Sequence, residues 1–126
     1  MKAYGARLWV VPDGWLPAKE PKGDLESHEA LMVTNTGDRE ATVRLTFLFE
    51  DRDPVRGIEV KVPAERVKCF RLDHPEEIGG LRLPELTQYA LVVESSEKVS
   101  VQFGRLDASQ PNLAYYGCIP VQDEAE

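Results

Sequence analysis

The chain has 126 residues, of which 42% are apolar, and its 22 acidic and 15 basic residues give a net charge of −7. This composition predicts one folded domain over residues 1–126 and is too apolar for a disordered protein. The acidic balance argues against nucleic-acid binding, which depends on Lys and Arg. Charges also interrupt every apolar run well short of the roughly 20 residues that a membrane-spanning helix needs.

Seven apolar runs predict β-strands. The clearest is Ala41–Glu50, where apolar residues occupy every second position and polar residues lie between them. Ile58–Val62 and Val99–Phe103 alternate in the same way, which is typical of antiparallel strands with one solvated face. Denser runs predict strands that are covered on both faces, and these are Leu8–Val11, Ala30–Asn35, Val67–Leu72 and Tyr89–Glu94.

The connections between these runs contain turn-forming residues, and no helical periodicity is present. Asn35–Asp38 predicts a tight turn, and Ser95–Glu97 predicts a short polar link between two strands. Two connections are longer than a hairpin needs, Pro12–Ser27 and Asp73–Thr87. The pattern predicts an all-β, antiparallel β-sandwich with about eight strands, in which the two long loops cover an end or form a binding rim. Trp15, in the first loop, would then either plug that end or provide a platform for a ligand.

The chain ends and the cysteines predict a cytoplasmic protein. The apolar stretch near the N-terminus is too short for the core of a signal peptide. Cys69 and Cys118 are therefore expected to be small buried residues rather than a disulfide. The acidic segment from Gln122 to Glu126 is expected to be a flexible, solvated tail.

Polar side chains gather at the predicted ends of two strands. His28 and Glu29 open one strand, while Arg105, Asp107 and Gln110 close another. Arg105 and Asp107 are two residues apart and would share a face of a continuing strand, where they could pair with each other or hold a ligand. We expect the imidazole, guanidinium and carboxylate groups to share one hollow. The alternative is that these residues only close loops and form structural ion pairs.

Arg66, after a predicted turn, is a further candidate to point into the hollow at the end of the sandwich. Metal binding is not expected, because His28 and His74 have no ligand spacing and Asp51–Asp53 begins a calcium-loop pattern that the following residues do not continue. The sequence also contains no nucleophile motif. We therefore expect no cofactor and no enzymatic activity. The enzymatic alternative is a small hydrolase or isomerase that uses His28 with Glu29 or Asp107.

Taken together, these segments resemble the family of soluble transducers of microbial sensory rhodopsin, over roughly Arg7 to Ile119. The resemblance depends on the order and spacing of several short motifs. They are Trp9, Gly14-Trp15-Leu16-Pro17, Ser27-His28-Glu29, Asn35-Thr36-Gly37-Asp38, Phe49-Glu50-Asp51, Pro54-Val55, Val62-Pro63-Ala64-Glu65-Arg66, Val101-Gln102 and Arg105-Leu106-Asp107-Ala108-Ser109-Gln110.

The resemblance implies a β-sandwich protomer that assembles into a homotetramer and binds a small molecule, plausibly a carbohydrate. Carried over by position, it implies that the polar site is lined by Trp15, His28, Glu29, Arg66, Arg105, Asp107 and Gln110. A ring beside planar polar side chains suits sugar recognition. The alternative function is that of an adaptor that couples a membrane receptor, such as a photoreceptor, to a downstream partner.

Overall fold

The computed structural model describes residues 2–19 and 25–123, and it is built from antiparallel strands. Within those residues there are eight strands and one short 3₁₀ helix, Pro75–Glu77. The strands are β1 Ala6–Trp15, β2 His28–Asn35, β3 Ala41–Phe49, β4 Val55–Val62, β5 Arg66–Arg71, β6 Gln88–Asp107, β7 Ala114–Cys118 and β8 Val121–Asp123. The all-β class predicted from the alternation is confirmed. No helix in these residues has the length and hydropathy needed to cross a membrane.

The strands form two layers that share β6. One layer has the order β4-β3-β6-β1-β8, and in the other β5 pairs with β2, β2 with β6 and β6 with β7. Inward-facing residues of both layers form the core, and Val43, Leu45 and Phe47 of β3 are completely buried. The loop after β5 adds Leu72 and Ile78, also completely buried, to this core.

The long strand β6 bends between the two layers. Ala6 of β1 pairs with Val99, but Leu8, two residues later, pairs with Glu94, so that residues 95–98 have no partner in β1. The predicted polar link Ser95–Glu97 is therefore not a break between strands; it is the bend inside β6. Because the strand folds back, its first and last residues lie at the same end of the sandwich.

Trp9 fills the inside of this bend. Its indole is 4% exposed, and its Nε1 donates hydrogen bonds to the carbonyl oxygens of Ala6 (3.0 Å) and Val99 (3.1 Å). A buried indole N–H requires such an acceptor. Trp9 thus fixes the start of β1 to the turning point of β6.

Several predicted features differ from the structure. Trp15 is the last residue of β1, and the first long connection therefore begins after it; residues 20–24 of that connection lie outside the described residues. Cys69 is exposed, and β5 is not covered on both faces, because its first four residues are all exposed. Gln122 and Asp123, predicted to lie in the acidic tail, belong to β8, while residues 124–126 lie outside the described residues.

Candidate functional site

The centre of the candidate site is a buried carboxylate between the two layers. Alternation along β2 turns Glu29 inward, on the same face as Leu31 and Val33, and its exposure is 0%. The register of the second layer places Arg105 of β6 directly opposite Glu29. Nε of Arg105, whose side chain is 20% exposed, donates to Oε2 of Glu29 at 2.8 Å, and the two form an ion pair in which the carboxylate is fully buried.

Two further donors complete the hydrogen bonds of this carboxylate. The hydroxyl of Tyr89, at the start of β6 in the other layer, donates to Oε1 of Glu29 at 2.6 Å. The backbone N–H of Trp15 donates to Oε2 at 2.9 Å. Tyr89 can take this position because residue 14 is glycine: a Cβ there would lie 2.3 Å from the tyrosine ring. One carboxylate thus joins the two ends of β6 to the end of β1.

The electrostatics of the cluster keep its proton donors protonated. Burial, together with the charge and hydrogen bond of Glu29, raises the pKa of Tyr89 well above its usual value. For Arg105, burial acts to lower the pKa, but the hydrogen bond and charge of Glu29 outweigh it and the pKa is raised. Both side chains therefore remain donors across the physiological range.

The outer side of Arg105 is less completely bonded. Its Nη2 is buried and has no hydrogen-bond partner among the described residues. Oδ1 of Asp13, on β1, lies 3.9 Å from that nitrogen and accepts a hydrogen bond from Nε2 of Gln88 at 2.9 Å. The ring of Tyr116, on β7, lies over the guanidinium, 5.0 Å from its carbon to the ring centroid.

The other residues predicted near Arg105 engage local groups. Nδ1 of His28 is 2.8 Å from the carbonyl oxygen of Glu26, and the carboxylate of Asp107 accepts the N–H of Ser109 at 3.0 Å. Hydrogen bonds from Ser109 lower the pKa of Asp107. Gln110 is exposed. The loop-closing alternative thus describes the bonds of His28 and Asp107, while Glu29 and Arg105 are in direct contact.

Arg66 lies at the opposite end of the second layer. It pairs with Asn35, six residues along β2 from Glu29, a separation of about 20 Å at the usual strand rise. Its Nη1 donates to the carbonyl oxygen of Glu65 at 3.0 Å. The structure therefore does not bring Arg66 into the hollow with Glu29 and Arg105.

Four residues of this cluster were not predicted from the sequence: Asp13, Gln88, Tyr89 and Tyr116. A signal was present for Tyr89, since it begins the inward-facing series that continues with Leu91 and Val93. A tyrosine in such a series has to place its hydroxyl against a buried acceptor. The other three depend on strand register and had no comparable signal.

A second charged cluster fastens the two long connections. The side chain of Asp73 is 1% exposed, and it accepts two hydrogen bonds of 2.7 Å from Arg71 and one from Lys19. Burial acts to raise the pKa of Asp73, but the hydrogen bonds and charges of Arg71 and Lys19 outweigh it and lower the pKa to about 2. Arg71 also pairs with Glu26 at 3.0 Å.

Among the residues that the structure describes, two groups of possible metal ligands lie in this second cluster. Glu26, Asp73 and His74 form one group, and His74 with Glu76 and Glu77 forms the other. His28 belongs to neither group. Because Arg71 and Lys19 already neutralise Asp73, and Nδ1 of His74 is 2.8 Å from Glu77, the donor set is that of a network of ion pairs. These cations would repel a metal ion.

Comparisons with known proteins agree with this fold. The crystal structure of Thermotoga maritima 1070 is similar to the chain, with a TM-score of 0.85 and 37% identity over 97% of this chain and 98% of that chain. The Anabaena sensory rhodopsin transducer matches with a TM-score of 0.69 and 28% identity, over 82% of this chain and 97% of that chain. A search of curated proteins found no match. The family model described as Anabaena sensory rhodopsin transducer matches residues 4–121. The chain therefore belongs to the Anabaena sensory rhodopsin transducer family.

Proposed function

We propose that this member of the family binds a small polar ligand, with a carbohydrate as the first class to test, and acts in signalling without catalysing a reaction. The observation that carries the proposal is the buried Nη2 of Arg105 at the end of the sandwich, which has no hydrogen-bond partner among the described residues. An ion pair with Glu29 fixes the position of this guanidinium, so that it is preorganised to donate to a ligand.

The bonding of Glu29 supports binding rather than catalysis. Its two oxygens already accept three hydrogen bonds, from Tyr89, Trp15 and Arg105. A carboxylate engaged in this way is a poor general base, because it would have to give up these donors to take a proton. His28 is directed towards the carbonyl oxygen of Glu26. The arrangement thus favours a rigid binding site.

A pair of matched substitutions tests the ligand proposal. Arg105→Lys keeps a positive charge beside Glu29 but removes the guanidinium nitrogens, and Arg66→Lys makes the same change at the far end of β2. Calorimetric titration with a panel of neutral sugars should detect a ligand that wild type and Arg66→Lys bind equally. Arg105→Lys should bind it about tenfold or more weakly, the usual effect of losing a hydrogen bond to a charged group.

Absence of binding to every sugar of the panel would contradict the carbohydrate proposal. Equal binding by wild type and Arg105→Lys would place the ligand elsewhere on the protein.

A second candidate function is that of an adaptor for a membrane receptor. The observation that favours it is the family match, since one similar structure is named as a transducer of a sensory rhodopsin. The genes beside its own discriminate between the two functions. A neighbouring photoreceptor gene would favour the adaptor, whereas a neighbouring set of sugar-catabolism genes would favour the ligand-binding function.

We also propose that the protein forms a homo-oligomer, with the tetramer as the expected state. The outer face of the second layer supports this proposal, since Val67 and Ile119 are 61% and 76% exposed there. They line a shallow hollow of about 370 Å³ together with Met32, Thr34, Ser100, Val101 and Gln102, none of which is charged. Uncharged, apolar surface of this kind is typical of contacts between subunits.

A further inference from the structure

The guanidinium of Arg105 has one side hydrogen-bonded and one side, here called the open side, that lacks a hydrogen-bond acceptor among the described residues. Its Nε is occupied by Glu29, whereas Nη2 is buried and has no hydrogen-bond partner among the described residues. The nearest carboxylate on that side belongs to Asp13, whose Oδ1 lies 3.9 Å away. This distance is too long for a direct hydrogen bond. A charged N–H that is buried without an acceptor is unfavourable, so the open side favours binding of an acceptor group.

Asp13 has the capacity to act on the same ligand group. Its side chain is 64% exposed, and Oδ1 accepts one hydrogen bond, of 2.9 Å, from Gln88. An ionised carboxylate accepts about four hydrogen bonds and donates none. A group held by both residues must therefore accept from Nη2 of Arg105 and donate to Asp13. A hydroxyl does both, while a carboxylate or phosphate oxygen only accepts.

The charges around the open side disfavour anions. Two carboxylates, Glu29 and Asp13, flank the single guanidinium of Arg105. The Glu29 carboxylate already neutralises Arg105 across a hydrogen bond of 2.8 Å. An incoming anion would find this cation already paired and would be repelled by Asp13. A neutral ligand does not incur this repulsion.

Tyr116 controls access to Nη2. The ring lies over the guanidinium, and its residue is opposite Arg105 in the pairing of β6 with β7. Among the described strands, β7 pairs only with β6, and Tyr116 is itself 37% exposed. Rotation of this partly exposed ring away from the guanidinium would let a ligand hydroxyl reach the nitrogen.

We propose that Asp13 determines the specificity of this site: together with Arg105 it selects a neutral hydroxyl group and excludes carboxylate and phosphate ligands. The proposal rests on the proposed ligand-binding function and adds to it the residue that discriminates by charge. Asp13 is the acceptor and Arg105 the donor for the same ligand hydroxyl. The ligand class is then neutral polyhydroxy compounds rather than sugar acids or sugar phosphates.

Matched pairs of sugars test this proposal, because the members of a pair differ only in the group at one carbon. Glucose with glucuronate and galactose with galacturonate each compare a hydroxymethyl group with a carboxylate. We expect wild type to bind the neutral member at least about tenfold more tightly than the acid in calorimetric titration. Asp13→Asn removes the charge and keeps the size, and it should reduce this ratio at least about tenfold.

Asp38→Asn is the control, since Asp38 is an exposed aspartate in the turn after β2, at the other end of that strand. It should keep the wild-type preference. The proposal is overturned if wild type binds the acids as tightly as the neutral sugars, or if Asp13→Asn keeps the full discrimination; the ligand-binding function survives both results. If no member of either pair binds, the neutral-hydroxyl assignment fails, and a panel of neutral sugars without response contradicts the carbohydrate proposal as well.

Discussion

Glu29 occupies a position on β2 where strand alternation calls for an apolar side chain, since Leu31 and Val33 follow it on the same face. Replacing a buried ion pair by apolar residues is often neutral or stabilising in proteins. Stability alone therefore does not account for a charge that is 0% exposed between two layers of strands. Polar groups placed against the local pattern of a fold are typical of functional sites. At the scale of one residue, this supports placing the ligand at Arg105.

The Asp73 cluster gives a pH-dependent contribution to stability. The folded pKa of Asp73 is about 2, below its ordinary value of 3.8, so the free energy of unfolding includes a stabilising contribution above about pH 4. This contribution is lost as the pH falls through the interval from about 4 to 2. Asp73→Asn should therefore lower the free energy of unfolding, and its difference from wild type should shrink by about 2 kcal/mol between pH 6 and pH 2.

Urea unfolding at fixed protein concentration measures this difference. Asp53→Asn, at an exposed aspartate between β3 and β4, is the control and should follow the wild-type curve at every pH. A difference for Asp73→Asn that stays constant down to pH 2 would show that the ion pairs with Arg71 and Lys19 do not form in solution.

At the scale of elements, alternation predicted most strands because it reports which face each residue turns to the core. It could not predict that Tyr89–Glu94 and Val99–Phe103 belong to one strand, because the bend of β6 depends on pairing of Val99 with Ala6, more than 90 residues away. β7 and β8 were not predicted for a different reason. Their residues are mostly exposed and lie at edges, so that no alternation of apolar and polar residues marks them.

The bend of β6 predicts a large effect for one substitution. Gly5 has φ of +116°, and a Cβ there would lie 1.9 Å from the carbonyl oxygen of Val99. Gly5→Ala should therefore destabilise the protein by more than about 3 kcal/mol, from backbone strain and the need to move β6 at its bend. Gly57 has φ of +82° and nothing within 4 Å of such a Cβ.

Gly57→Ala is thus a control that contains the backbone strain without the collision, and about 1–2 kcal/mol is expected for it. Urea unfolding of both variants isolates the contact at the bend as the difference between them. Equal destabilisation would mean that Val99 moves away from residue 5 at little cost.

At the scale of the whole molecule, the candidate site exists because both ends of β6 lie at one end of the sandwich. Glu29 and Arg105 were singled out from their places at strand ends, and the register puts them opposite each other. Arg66 was placed in the same hollow because the sequence does not reveal which residue of β2 lies opposite it. The register puts Arg66 opposite Asn35 instead. Tyr89 reaches Glu29 across the two layers, a contact that only the closed sandwich creates.

The uncharged hollow on the outer face of the second layer also belongs to this scale, because it is where we propose that subunits meet. Val67 is 61% exposed on β5, and Val67→Glu would put a charge into a contact between subunits that buries this face. Leu48, 36% exposed on β3 of the first layer, provides the matched control.

Sedimentation should show wild type and Leu48→Glu as the same oligomer and Val67→Glu as a smaller species. A monomeric wild type would contradict the self-association proposal, and an unchanged Val67→Glu would move the subunit contact to another face. Since Val67 is about as far from Glu29 as Arg66 is, wild type and Val67→Glu should bind the ligand equally.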